Sequence, residues 1–274
     1  MAPRLPTRLG MNLDIETIRK QLADGAVEKH LHLFSTVGST NSVLRELAAK
    51  GAPEGTTVIA EEQTAGRGRL GKPWFSPPGV NLYVSVLLRP SIAPREAPEF
   101  TFVGPLALAD AIEAEGLDAT IKWPNDVLVE RKKVGGILAE CATIENRIDY
   151  VLIGFGVNVN ITHAALREGL GNSGHAASSL RDCLGREIDR NEFAAALLNQ
   201  LVAWVAVYRE CGPASLIAAW HDRDILTGRR VEVRGEGPSY EGRVLGVDAE
   251  AHLILRDSEG NRRRVLAGEI RMAD

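Results

Sequence analysis

The 274-residue chain has only three cysteines, Cys141, Cys183 and Cys211, and no C-x-x-C. An odd number of scattered cysteines argues against a disulfide framework and a cysteine zinc site, and fits a reducing cytoplasm. The six histidines include no H-x-x-x-H pair beside carboxylates, so no metal site made only of protein side chains is expected. No run of about 18 apolar residues is present to span a membrane. The opening "MAPRLPTRLGMNLD" leads into no apolar stretch of the kind a signal peptide needs. An excess of basic charge is also missing: the net charge is −4. No global field therefore draws nucleic acid or an acidic membrane, and basic residues must act locally.

What is there is ordinary for a globular chain: 45% hydrophobic and 25% charged residues. The length suits one large domain, or one domain with a small appendage. Residues 14–24 read as a short helix ending at Gly25, and "LHLFS" (31–35) as a strand. "STNSVLRELAAKG" (39–51) follows as a helix with a hydroxyl N-cap and a glycine stop. Strands are expected over 56–63 and 81–89, the latter with Leu82, Val84, Val86 and Leu88 on one face, and a helix over about 98–115. Four more strands, near 119–123, 126–130, 134–144 and 149–159, are joined by hairpin-sized links. Links so short hold no crossover helix, so these strands must be antiparallel. A loop over 162–176 precedes a helix marked by Phe193, Leu197, Leu201 and Val205. From about residue 225 short alternating strands suggest a small appended barrel.

The segment "GRGRLGKPW" (66–74) has the G-x-G-x-x-G spacing of a dinucleotide turn. Such a turn needs a helix after its third glycine, to hold the pyrophosphate at the helix N-terminus. Here Pro73, Pro77 and Pro78 follow, and proline disfavours that helix. The NAD reading fails. What remains is a glycine loop carrying Arg67, Arg69 and Lys72, with Trp74 as a flat apolar wall. It is either a solvated basic hairpin or a seat for an anionic small molecule, and Trp74 favours the second.

A second cluster, "KWPNDVLVERKKVGGILAE" (122–140), sets Lys122, Asn125 and Asp126 at one hairpin end and Lys133 before Gly135-Gly136. By itself "WPND" reads equally as a turn in which Asp126 bonds its own backbone. Paired glycines inside a strand, and the alternating glycines of "GFGVN" (154–158), call for a bulge or a closely approaching ligand.

Together, "STN" (39–41), "QTAGRGRLGKPW" (63–74), the 122–138 segment and "GFGVN" resemble the biotin–protein ligase family. The resemblance covers nearly the whole chain from about residue 30. It implies an α+β fold: a mixed, largely antiparallel sheet with flanking helices, related to class II aminoacyl-tRNA synthetases, plus a small C-terminal SH3-like barrel. The expected division is a lead-in over 1–29, a catalytic domain over 30–224 and the barrel over 225–274. The implied reaction joins biotin and ATP into biotinyl-5′-AMP, then passes biotin to a lysine of a biotin carboxyl carrier protein.

By the same resemblance, biotin contacts fall to Ser39, Thr40, Asn41, Gln63, Arg67, Gly68, Arg69 and Lys133. Nucleotide contacts fall to Arg69, Lys72, Trp74, Lys122, Asn125 and Asn158. The residues expected to carry the chemistry are Arg69, Lys122, Asp126 and Lys133. Lys72 stands where the family usually has arginine, replacing a bidentate grip by a point charge. Around Glu269 and Arg271 the match is loose, which leaves their contact with nucleotide open. Mg²⁺ is expected with ATP, held mainly by phosphates and water. With only about 30 residues before "LHLFS", a winged-helix repressor domain and DNA binding are not expected. A cytoplasmic monomer or homodimer fits, an exposed sheet edge serving for pairing or carrier docking. The alternatives are a lipoate–protein ligase and a biotin-binding regulatory module without ligase activity.

Overall fold

The computed structural model describes residues 12–23, 25–234 and 239–273. Of the expected lead-in, residues 1–11 and 24 lie outside the described residues. Of the helix expected over 14–24 only α1 (Ile15–Arg19) forms, and a second short helix, α2 (Ala26–Lys29), follows beyond the expected stop.

A seven-stranded sheet forms the centre. Its strands are β1 (Leu31–Val37), β2 (Thr57–Gln63), β3 (Leu82–Leu88), β4 (Ala119–Lys122), β5 (Asp126–Val129), β6 (Lys132–Ile144) and β7 (Arg147–Val157). Their order is β1-β2-β3-β7-β6-β5-β4, with only the β1–β2 pair parallel. The antiparallel pairing of β4 to β7 expected from the short links forms, within the mixed, largely antiparallel sheet that the resemblance implies.

Both faces of the sheet are covered. Helix α3 (Thr40–Ala49) packs Leu44 and Ala48 on one face, against Val58, Leu87, Tyr150 and Leu152. The other face carries the main core, under α4 (Phe100–Ala114) and the later helices α7 (Arg190–Cys211) and α8 (Pro213–Arg223). Leu82, Val84, Val86 and Leu88 point into that core, as their alternation predicted, but β3 is buried on its second face as well. Helix α4 is apolar nearly all round because sheet and helices enclose it. Ser39 occupies the N-cap of α3 with extended angles, yet its hydroxyl makes no capping bond, contrary to the expected hydroxyl cap. The cleft, not the helix end, has use for it.

The segment 162–176, expected as an irregular loop, is largely helical: α5 (His163–Leu170) followed by a 3-10 stretch (Gly171–Ala176). Thr162 caps α5 by accepting from the Ala165 N–H at 3.3 Å. Leu166 sits buried with Ile161 and Ala177, and Phe75 packs against them. Gly169 concealed the helical signal, because a Cβ there would meet the Phe75 ring at 2.3 Å. The glycine is a packing requirement.

After α6 (Leu180–Leu184), α7 and α8, the chain forms a second, antiparallel five-stranded sheet. It contains β8 (Arg230–Arg234), β9 (Tyr240–Val247), β10 (Leu253–Arg256), β11 (Arg262–Val265) and β12 (Glu269–Met272), ordered β11-β10-β9-β8-β12. The Trp123 indole N–H donates to the Ala251 carbonyl at 2.9 Å and ties this sheet to the β4–β5 hairpin.

Candidate active site

Strand register assembles the site. Lys122 pairs with Asp126, Asp126 with Gly136, Gly136 with Gly156, and Gly156 with Tyr83, so one row crosses β4, β5, β6, β7 and β3. A parallel row runs Leu138–Gly154–Ser85. Both rows lie on the face covered by α3, and the cleft opens where that short helix stops covering it.

The cleft has a volume of about 770 Å³. Its walls bring together Ser39, Thr40, Asn41, Gln63, Arg67, Gly68, Arg69, Lys72, Trp74, Lys122, Asn125, Asp126, Lys133 and Asn158. The 162–176 segment contributes Leu166 and Leu170, and β12 contributes Glu269. Arg271 is not on the wall.

The glycine floor has a steric cause. A Cβ at Gly156 would come within 2.4 Å of the Trp74 indole, and one at Gly136 within 3.1 Å. A Cβ at Gly154 would meet Asn41 Oδ1 at 2.2 Å. Gly135 instead faces the core, where Leu108 needs the space. Trp74 thus lies on two strands, with the Lys133 ammonium 5.1 Å from its ring centre and its indole N–H buried without a partner. Gly154→Ala should leave the fold intact at a cost of about 1–3 kcal/mol of overpacking. It should raise the KM for the acid substrate by moving Asn41, leaving the KM for ATP unchanged. Steady-state kinetics and a thermal melt check this; unchanged kinetics in a folded variant contradicts the assignment of Asn41 to acid binding.

The loop "GRGR" makes no helix beyond a single 3-10 turn at Arg69–Gly71, in which Leu70 takes a left-handed φ of 55°. It is closed by the Gly68 N–H donating to the Lys72 carbonyl at 2.7 Å and the Trp74 N–H to the Gly66 carbonyl at 2.9 Å. Arg67 bonds Ser42 Oγ at 3.1 Å and lies 3.8 Å from Glu140. Lys72 pairs with Glu269 at 2.9 Å, which draws the Glu269 carboxyl below its ordinary range and links the loop to the second sheet. Both partners are about half exposed, so the pair should contribute under about 1 kcal/mol and weaken with salt. Glu269→Gln is therefore expected to raise protease cleavage of the loop no more than about fivefold, an effect that 0.5 M salt reproduces in the wild type. A much larger effect, insensitive to salt, would contradict it.

Lys133 Nζ lies 2.5 Å from Asp126 Oδ1. Arg69 stacks 5.9 Å over Trp123, and neither Arg69 nor Lys122 has a carboxylate in bonding distance among the described residues. Burial lowers the basicity of both, opposed by the Asp126 charge; for Lys122 the Lys133 charge lowers it further. Half-buried cations lacking counter-ions favour a ligand anion. Asn125 and Asn158 serve the frame first: their amides donate to Ile137 O at 2.6 Å and Ser178 O at 3.0 Å. Their backbones, too, hold β6 and the 178–180 turn in register.

Two residues that bond to the cleft wall from behind it escaped sequence reasoning, Ser85 and Glu140. Ser85 Oγ lies 2.6 Å from Asn41 Oδ1 and 2.7 Å from Thr40 Oγ1. Glu140 accepts from Asn41 Nδ2 at 2.8 Å and from Arg45 at 2.7 Å. The signal for Glu140 was its period-2 spacing from Gly136 and Leu138 on β6.

A polar cleft beside half-buried cations without counter-ions among the described residues, on this sheet, suits an enzyme acting on anionic substrates such as a carboxylate and a phosphate. Comparison with known proteins agrees. The biotin/lipoate A/B protein ligase family matches residues 33–158, and the biotin protein ligase C-terminal domain matches residues 226–272. A biotin–[acetyl-CoA-carboxylase] ligase of Mycobacterium tuberculosis is 33% identical over 96% of this chain and 97% of its own. A bifunctional ligase/repressor BirA of Bacillus subtilis is 35% identical over 89% of this chain and 74% of its own. The structure of a biotin protein ligase from Aquifex aeolicus in complex with biotin and ATP superposes with a TM-score of 0.74. It is 27% identical and covers 89% of this chain and 100% of that one. The chain belongs to the biotin/lipoate A/B protein ligase family. Its activity is that of a biotin–protein ligase, acting on biotin and ATP.

Proposed function

We propose that this one cleft performs both half-reactions, formation of biotinyl-5′-AMP and transfer of biotin to a carrier lysine. The observation that carries the reading is the pair of half-buried cations without counter-ions, Arg69 and Lys122, beside the glycine floor. In the first step a carboxylate approaches the α-phosphate of ATP. Two unit charges 4 Å apart repel by about 4 kcal/mol at an effective dielectric of 20. Arg69, Lys122 and Lys133 offset that repulsion and stabilise the charge gathering in the transition state. Ser39, Thr40, Asn41 and Gln63, at the polar end, take the biotin ring. Trp74 takes the adenine, and Lys72 the phosphates at the cleft mouth.

Mg²⁺ enters as the ATP complex. Among the described residues the carboxylates on the cleft wall, Asp126 and Glu269, are each already engaged by a lysine, which suits a metal held by phosphates and water rather than a protein cage. The mixed anhydride must be kept from water. The glycine loop and the α5 segment, joined through the Phe75–Gly169 contact, supply that cover. The expected division into a catalytic part over 30–224 and a barrel over 225–274 is supported by the second sheet starting at Arg230. A biotin carboxyl carrier protein is the proposed acceptor. No described helix is long and apolar enough to cross a membrane, and the three cysteines are free, which favours the cytoplasm.

The test is adenylate formation by purified protein with ATP–Mg²⁺ and either biotin or lipoate, followed by pyrophosphate release and mass spectrometry of the acyl-AMP. Biotin-dependent turnover with little from lipoate is expected. Preference for lipoate would overturn the assignment of the ring pocket.

A further inference from the structure

We propose that Glu140 is a specificity-determining positioning residue. Through Asn41 and Ser85 it makes the Thr40 hydroxyl an acceptor, so that the cleft selects a ring bearing an N–H. The inference rests on reading this cleft as the biotin site.

The argument follows the protons. A carboxylate flanked by guanidinium groups only accepts hydrogen bonds, and Glu140 has Arg45 at 2.7 Å and Arg67 at 3.8 Å. Its other oxygen lies 2.8 Å from Asn41 Nδ2, which is also 3.3 Å from the Leu138 carbonyl. Both neighbours are acceptors, so this end of Asn41 must be the NH₂ group. Asn41 Oδ1 is therefore turned toward Ser85, 2.6 Å away, and being an amide oxygen it can only accept. The one Ser85 proton goes there.

Ser85 Oγ, 2.7 Å from Thr40 Oγ1, then has only lone pairs left and takes the Thr40 proton. Thr40 is left with nothing to donate. On its other side stands Gln63 Oε1, which accepts from the Thr40 backbone N–H at 2.9 Å and is within reach of the Thr40 hydroxyl proton at 3.2 Å, but the shorter contact to Ser85, whose own proton is spent on Asn41, claims that proton. Gln63 cannot reverse, because its NH₂ donates to Ser76 Oγ at 3.2 Å while Ser76 donates to the Trp74 carbonyl at 3.0 Å.

Two oxygens on the cleft wall, Thr40 Oγ1 and Gln63 Oε1, thus face each other with no proton between them. A ligand N–H supplies that proton; a dithiolane ring, which has no N–H, leaves the Thr40 oxygen with no donor and the Gln63 oxygen with only the Thr40 backbone N–H. Sites built to bond a donor reject analogues lacking it far more strongly than apolar pockets reject a missing methylene. The relay is set by a charge on the same sheet face, beside the cleft and against α3. In this reading Glu140 touches no substrate and acts only through its neighbours.

The experiment compares wild type, Glu140→Gln and Ser85→Ala, each assayed for adenylation of biotin and of lipoate. Glutamine is close in shape but brings a donor, which lets Asn41 reverse. Alanine at 85 cuts the relay with the carboxylate intact and returns the Thr40 proton. Both variants should raise the KM for biotin at least about tenfold, with kcat and the KM for ATP within about threefold. Because lipoate never used the N–H contact, the biotin-to-lipoate ratio of kcat/KM should fall about as far. A merely structural role would weaken both acids alike. An unchanged ratio in either folded variant overturns the relay, and Ser85→Ala decides alone if Glu140→Gln does not fold. A wild type that takes no biotin overturns the parent reading instead.

Discussion

Lys133→Ala is expected to slow adenylate formation by about 10²–10³-fold, the effect of removing one preorganised donor to developing charge. Asp126→Asn is expected to leave that step within about tenfold and to slow transfer by about 10²–10⁴-fold. The two side chains touch, at 2.5 Å, yet they are expected to serve different steps. A free acceptor lysine has a pKa near 10.4, so only about one amine in 2,500 is neutral at pH 7, equivalent to about 4.6 kcal/mol. Some group must receive that proton. Asp126 is the carboxylate in the row that also holds Lys122 and the glycine floor, which makes it the proposed acceptor of that proton. Lys133 pairs with Asp126 and borders Trp74, so its charge is proposed to act where nucleotide and acid meet. Rapid-quench measurement of pyrophosphate release and of carrier biotinylation, followed separately, distinguishes the steps. Equal loss of both in Asp126→Asn would mean that the carboxylate only holds Lys133, or only shapes the turn.

Arg69→Gly should release the intermediate. Arg69 is half-buried over Trp123, with no carboxylate in bonding distance among the described residues, so the adenylate is the anion it is proposed to hold. Truncating one side of a partly buried charge pair costs about 2–4 kcal/mol, or about 30- to 900-fold faster loss of biotinyl-AMP. Free adenylate would then acylate bystander lysines. Dissociation of preformed biotinyl-AMP, chased with unlabelled biotin, measures this directly; wild-type retention removes Arg69 from the intermediate.

Much of this was legible in the sequence because its causes are local. Hairpin links of two or three residues leave β4 to β7 no choice but antiparallel pairing, and prolines after Gly71 rule out a dinucleotide helix. The glycines at 136, 154 and 156 were visible as misfits in strands, but not what filled their space. Trp74 and Asn41 arrive from 60 to 115 residues away, and only tertiary structure brings them. Helix α5 was hidden for the same reason. Gly169 reads as a loop residue until Phe75 lies against it. The pairing of Lys72 with Glu269 and the engagement of Asn41 by Glu140 span 197 and 99 residues, and no local pattern announces such pairs.

The most direct measurement of the central claim is the intact mass of a biotin carboxyl carrier domain incubated with the wild-type chain, biotin and ATP–Mg²⁺, beside Lys133→Ala under the same conditions. The predicted result is a gain of one biotinyl group on a single carrier lysine with the wild type, absent when ATP is omitted and strongly slowed in the variant. A carrier that gains no mass with the wild type, or that gains it equally with Lys133→Ala, would contradict the account.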